Sequence, residues 1–199
     1  MLTSIILLFG VSGQPQTGVT PLEGEASDLD LVRAARQDPA RFAALYERYF
    51  KRIYNFCYLR LRVQEAAEDA TSEIFLRAIN GLAGYREGLF AAWLFQIARN
   101  VVVSQQQMRL ATTLYEAEEI AASGPTLEET VVAQAERQSV RAALALLPEE
   151  QRTVIELQCV GWTGEQIGEA MGKSGPAVRM LRHRAVERLK QLVLGQEGN

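Results

Sequence analysis

The chain has 199 residues, 48% of them hydrophobic, with a formal net charge of −3, a length that allows one or two domains with their own cores. Cys57 and Cys159 lie far apart in apolar helical context, which argues against a disulfide scaffold and for buried free thiols. His183 is the only histidine, so a structural zinc site lacks ligands, and neither metal nor cofactor is expected.

Met1–Val11 is apolar but carries no Lys or Arg, and it is shorter than a membrane helix needs. Residues 1–27 are expected to be a disordered leader, with a membrane or partner tether as the alternative; Ser12–Ser27, rich in Gly, Gln, Pro and Thr, reads as flexible. Asp28 is expected to cap a short helix carrying Leu31, Val32 and Ala35. Asp38-Pro39 restarts the chain as a long helix with Phe42, Leu45, Tyr46, Tyr49, Ile53, Phe56 and Cys57 along one stripe. A third helix is predicted over about Gln64–Leu82, ended by Gly81 and Gly84. A fourth starts near Leu89 and carries Phe90, Trp93, Leu94, Ile97 and Val101.

Ala111–Thr126 is acidic, aperiodic and contains the breaker cluster Ser123-Gly124-Pro125, so it reads as a linker. A second helical block runs from about Leu127, with one helix ending around Leu147 and another opened by Pro148 and running to Val160. The expected architecture is all-α: two small helical domains, 28–110 and 127–194, joined by a flexible acidic linker, 111–126, with a short tail at 195–199.

Gly161–Ala185 is the strongest local signal. Thr163 and Gln166 have capping-box spacing, Gly172-Lys173-Ser174 is turn chemistry, and Pro176 suits the first turn of a new helix. Val178, Leu181, Ala185, Leu189 and Leu192 define a buried face. Roughly opposite lie Pro176, Arg179, Met180 and His183, flanked by Arg182 and Arg184. This is a helix-turn-helix with a cationic recognition helix, and it points to duplex DNA; the plainer reading is a helical hairpin for protein packing. Charge is segregated in a way the net value hides. Cations Lys173, Arg179, Arg182, Arg184, Arg188 and Lys190 face Glu187 alone, whereas 111–147 is dominated by glutamates.

Two other groupings have a plain and a functional reading. Asp69 and Glu73 share a helix face, where like charges at that spacing cost about 0.2–0.5 kcal/mol. They are either a solvated acidic face or a docking surface for basic side chains, and no histidine or glycine-rich loop accompanies them for hydrolysis. Tyr85, Arg86, Phe90, Trp93, Phe95 and Arg99 join aromatics to cations. Helical spacing makes Phe90, Trp93 and Ile97 simple core, while the functional reading is a platform for unpaired bases, with Arg99-Asn100 at the helix surface.

Taken together, LVRAARQDPARFAALYERYFKRIYNFCY, AEDATSEIFLRAINGLAGYR, FAAWLFQIARNVV and LPEEQRTVIELQCVGWTGEQIGEAMGKSGPAVRMLRHRAVERL, in this order, resemble a bacterial extracytoplasmic-function (ECF) sigma factor of the sigma-70 superfamily, from about Asp28 to Leu194. The resemblance implies a cytoplasmic, non-enzymatic subunit that binds core RNA polymerase and promoter DNA, with an anti-sigma factor as a further partner. It implies that Asp69, Ser72 and Glu73 contact polymerase. Tyr85, Arg86, Phe90, Trp93, Arg99 and Asn100 would serve the minus-ten element, the Gly84–Phe90 loop and the start of the next helix holding a flipped base. Lys173, Ser174, Pro176, Arg179, Met180, Arg182, His183 and Arg184 would read the minus-thirty-five element. Ser104 stands where relatives carry an aspartate, Gln107-Met108 replaces two arginines, leaving Arg109 as the nearby cation, and Ser72 replaces a common glutamine. These departures predict weaker duplex opening or a different promoter sequence. A stand-alone helix-turn-helix regulator, or a polymerase-binding regulator that does not open DNA, are the other readings.

Overall fold

The computed structural model describes residues 26–86, 88–115, 140 and 142–194, with backbone alone at 110–115 and 194. Almost all of the leader, residues 116–139 and the tail 195–199 lie outside the described residues, and with them most of the expected linker and the start of the second block. Among the described residues every regular element is helical. The chain divides into two compact units, one holding the helices before residue 116 and the other those after 139.

The first unit begins with α1, Asp28–Gln37. Its cap is Ser27, one residue before the expected Asp28: the Ser27 hydroxyl accepts from the Asp30 amide at 3.2 Å. Asp28 has other work, because its carboxylate takes Arg48 Nη1 at 2.6 Å and the Tyr49 hydroxyl, pinning α1 to the next helix. Asp38 caps a 3-10 turn, Pro39–Phe42, through the Ala40 amide at 3.0 Å. The long helix α2, Ala43–Leu61, therefore starts four residues later than Pro39.

Along α2, Leu45, Tyr49, Ile53, Phe56 and Cys57 are buried as the periodicity predicts, but Tyr46 is 40% exposed and does not belong to the core. Burial of Tyr49 raises its phenol well above the ordinary value, with Asp28 as the next cause. Arg62 ends α2 in the left-handed region, φ 64°. Side chains of a later helix occupy two of the last α2 carbonyls: Gln106 Nε2 donates to Arg60 O at 3.2 Å and Arg109 Nη1 to Leu61 O at 3.0 Å. Arg109 is thus a helix cap for α2, which satisfies carbonyls that the helix cannot.

Helix α3, Gln64–Gly81, presents Ala67, Ala70 and Ala78, all fully buried, so that its backbone lies close to its neighbours. A 3-10 turn, Leu82–Gly84, follows, and then α4, Phe90–Tyr115. α4 runs five residues past Leu110, so the helix continues into what the composition marks as linker.

In the second unit, Val140, Ala143, Leu144 and Leu147 pack with Ile155, Cys159, Ala185 and Leu189. Pro148 precedes α5, Glu149–Cys159, and its carbonyl accepts the Arg152 amide at 2.9 Å. Two shorter turns lead through α6, Gly164–Met171, to α7, Gly175–Leu194. Both cysteines are buried thiols, each pushed up to about 12 chiefly by burial.

Candidate nucleic-acid interface

The turn between α6 and α7 is built by local chemistry. Thr163 Oγ1 accepts from the Gln166 amide at 3.2 Å and Gln166 Oε1 accepts from the Thr163 amide at 3.0 Å, a complete capping box. Gly172 takes a left-handed φ of 63°, and the Lys173 amide then reaches Gly168 O at 2.7 Å. Here sequence reasoning missed a constraint. Gly168 looks like a helix weakness, yet a Cβ there would stand 2.8 Å from Lys173 O, so the turn excludes a side chain.

Ser174 starts α7: its hydroxyl accepts from the Ala177 amide at 3.4 Å and its carbonyl from the Val178 amide at 3.0 Å. Val178, Ala185 and Leu189 point inward, at 4%, 0% and 3% exposure. Pro176, Arg179, Met180, Arg182, His183 and Arg184 are exposed together. The Arg179 guanidinium reaches back over Gly175, while His183 and Arg184 border a groove shared with Gln151 of α5. Lys173 differs from the rest of the set. It is half-buried and its Nζ lies 2.8 Å from Glu150 Oε1, which spends its charge on joining the turn to α5.

In the first unit the aromatic set divides. Phe90 is 1% exposed and Tyr85 7%, and their rings pack edge-on at 5.9 Å. Both are packed into the core, as helical spacing suggests for Phe90, with little of either ring exposed. Trp93 is half-buried between Tyr85, at 5.2 Å, and Phe90, at 5.5 Å. A Cβ on Gly81 would lie 3.3 Å from its ring. The exposed members are Arg86, Arg99 and Asn100. The Tyr85 hydroxyl donates to Gly88 O at 2.5 Å, closing the loop on itself.

On α3, Asp69 and Ser72 are exposed and Glu73 is half-buried. Ser72 Oγ donates to Glu68 O at 3.0 Å, and Glu73 takes Arg77 Nη2 at 2.5 Å, an i,i+4 pair that offsets part of the like-charge cost. On α2 runs an aromatic row, of which the sequence pattern picked out Tyr46 alone and placed it in the core stripe. Tyr46, Phe50, Tyr54 and Tyr58 follow one another at four-residue steps along α2, with ring centroids 5.1, 6.1 and 6.3 Å apart. Partial burial and Glu68 raise the Tyr54 phenol. The i,i+4 spacing alone was the available signal.

Among the described residues the chain is all-helical, with a cationic helix-turn-helix in one unit and an acidic helix in the other. Residues 45–109 match the family model for sigma-70 region 2, and residues 137–189 that for sigma-70 region 4. The chain is 31% identical over 175 residues to the ECF RNA polymerase sigma factor BldN of Streptomyces coelicolor, covering 83% of this chain and 65% of that protein. It is 27% identical over 174 residues to the ECF sigma factor SigW of Bacillus subtilis, covering 81% and 93%. Its fold is similar to that of CnrH in complex with the cytosolic domain of CnrY, with a TM-score of 0.62 and 23% identity over 83% of this chain and 96% of the other. The sigma factor RpoE of Bartonella quintana, in complex with the anti-sigma factor NepR, gives a TM-score of 0.56 at 22% identity over 76% and 96%. The chain belongs to the sigma-70 family of transcription initiation factors, in its ECF group.

Proposed function

We propose that this chain binds core RNA polymerase and directs it to a specific set of promoters, itself catalysing nothing and working in the cytoplasm. Residues 28–110 serve polymerase binding and the minus-ten element, and residues 127–194 the minus-thirty-five element. The observation that carries the reading is α7: Arg179, Met180, Arg182, His183 and Arg184 are exposed together, away from the core face of Val178, Ala185 and Leu189. An α-helix fits the major groove, where Arg reads base edges or holds phosphates. Pro176 and Ser174 start that helix where the groove is entered, and Lys173 supports it through Glu150.

Asp69, Ser72 and Glu73 form the polymerase contact, because a cationic partner would offset the like-charge pair. Arg86, Arg99 and Asn100 lie along the opened strand, with Trp93 beside them. The loop ahead of α4 holds one unpaired base by its backbone and Arg86, without Tyr85 or Phe90 as stacking surfaces. An anti-sigma factor covering these surfaces between stimuli is a further partner, in keeping with the similar folds solved bound to CnrY and NepR.

The test is to mix the purified chain with core RNA polymerase and follow it by size exclusion. Co-elution, lost on Glu73→Lys with helical content intact, supports the reading. Failure to co-elute, with specific DNA binding by the chain alone, makes it a stand-alone helix-turn-helix regulator.

A further inference from the structure

Arg36, on α1, stands far in sequence from every residue assigned above, yet it is fastened to the loop that follows α3. Its Nε donates to Leu82 O at 3.0 Å and its Nη2 to Tyr85 O. Its guanidinium carbon also lies 5.8 Å from the centre of the Tyr85 ring. One planar group thus holds two carbonyls three residues apart and lies over one ring. The rigid fork of an arginine does this from two separate nitrogens in one plane, whereas a lysine ammonium has to reach both carbonyls from one nitrogen and offers no plane to the ring. Leu82 O also accepts the Tyr85 amide at 3.3 Å, so the two bonds converge on the turn that sets the direction of the chain into the loop. From the far side, Tyr85 is tied to Gly88 by its hydroxyl.

We propose that Arg36 is a positioning residue for promoter opening: it fixes the shape of the loop between α3 and α4, and through that shape its choice of unpaired base. The inference rests on the reading that this loop holds a flipped base. Backbone amides and carbonyls discriminate between bases only if they are held in place before the base arrives. Leu82–Gly84 is a single 3-10 turn and Gly84 and Gly88 are exposed, and Arg36 adds two backbone ties to those that Tyr85 makes through its ring and hydroxyl. Arg36 acts on the loop through its backbone carbonyls, so the proposal requires no contact between Arg36 and DNA.

The experiment uses the full chain bound to core polymerase. The probe is a pool of fork-junction DNA whose unpaired non-template bases are randomised, captured by the complex and sequenced. The unaltered chain is expected to enrich one base at one unpaired position. Arg36→Ala is expected to lose about tenfold of that preference, the scale of a lost charge-assisted hydrogen bond, while still co-eluting with polymerase and retaining duplex selection upstream. Arg36→Lys, which keeps the charge but not the fork, is expected to restore little of it.

Full preference in Arg36→Ala, or full rescue by Arg36→Lys, overturns the proposal. If Arg36→Ala melts out at the assay temperature by circular dichroism, Tyr85→Phe decides. It removes the hydroxyl and with it the tie to Gly88; lost preference supports control through loop shape and unchanged preference overturns it. If the unaltered complex enriches no unpaired base at all, the base-holding reading fails first, and the result is distinct from any failure of Arg36.

Discussion

The Lys173 amide donates to the Gly168 carbonyl at 2.7 Å, and the same approach brings Lys173 O to 2.8 Å from where a Cβ on Gly168 would sit. The turn of the helix-turn-helix is therefore closed by backbone against backbone. Gly168→Ala is expected to destabilise the second unit by about 1–3 kcal/mol, the usual cost of forcing extra volume into a packed site, and to weaken duplex binding with it. Gly164 has open space around the equivalent position, so Gly164→Ala is expected to be neutral or to stabilise by up to about 1 kcal/mol. Urea denaturation of the two variants checks the contrast; equal losses would mean that the Cβ clash at Gly168 does not set the stability of the turn.

Arg179 and Lys173 are expected to behave differently although both are cations of the same motif. Arg179→Ala should cost about 1–3 kcal/mol on the preferred upstream sequence and much less on scrambled duplex if it makes a base contact. Lys173 is paired with Glu150, so Lys173→Ala should change binding to all duplexes little. Its loss should appear instead in the melting of the second unit, within the about 0–1 kcal/mol typical of a partly exposed pair. Fluorescence anisotropy of the polymerase-bound chain on both duplexes, at one fixed salt concentration, separates the two.

Cys57 and Cys159 should resist thiol reagents. Burial raises both from the ordinary 9.0 to about 12, so at pH 8 the reactive thiolate is scarce as well as enclosed. Ellman's reagent is expected to react with neither in the native chain and with both in denaturant. The same shift sets an alkaline limit. The folded state keeps protons that the unfolded state releases above about pH 9, so stability is intact below that and falls as pH rises toward 12. Buried Tyr49 acts in the same direction. Urea midpoints measured from pH 8 upward should decline; a flat profile would show that these groups titrate as they do in the unfolded chain.

The row Tyr46, Phe50, Tyr54 and Tyr58 meets α3 through Tyr46, 4.7 Å from the Phe75 ring, and through Tyr54 near Glu68, and Leu76 on that helix is 61% exposed. Phe50→Ser should therefore lower the affinity for core polymerase while leaving the melting temperature within a few degrees, because Phe50 is 39% exposed. Titration of labelled chain with polymerase measures it. A large fall in melting temperature with unchanged affinity would make the row structural.

The features legible from sequence are those governed by neighbours a few residues apart. Thr163 and Gln166 cap one another three residues apart, and the pattern Val178, Ala185, Leu189 fixes which side of α7 is buried. Where local chemistry offers two solutions the choice shifts: Ser27 and Asp28 are both good caps, and only the long-range pull of Arg48 and Tyr49 on Asp28 decides for Ser27. Tyr46 satisfies the core period of α2 but lies at the edge of what α3 covers. Arg36 and Arg109 are illegible for a deeper reason, since each answers a carbonyl more than forty residues away. Periodicity carries no information about such pairings.

Each unit also contains one of the chain's two tryptophans. Trp93 is half-buried against Tyr85, next to the loop fastened by Arg36, and Trp162 is 4% exposed at the entrance to the helix-turn-helix. Replacing either indole with phenylalanine would leave a single tryptophan, whose emission on excitation at the red edge of indole absorption belongs to one unit. The molecule thus carries two intrinsic optical reporters, and events in the first unit and in the second are separable by colour and intensity without attaching a dye.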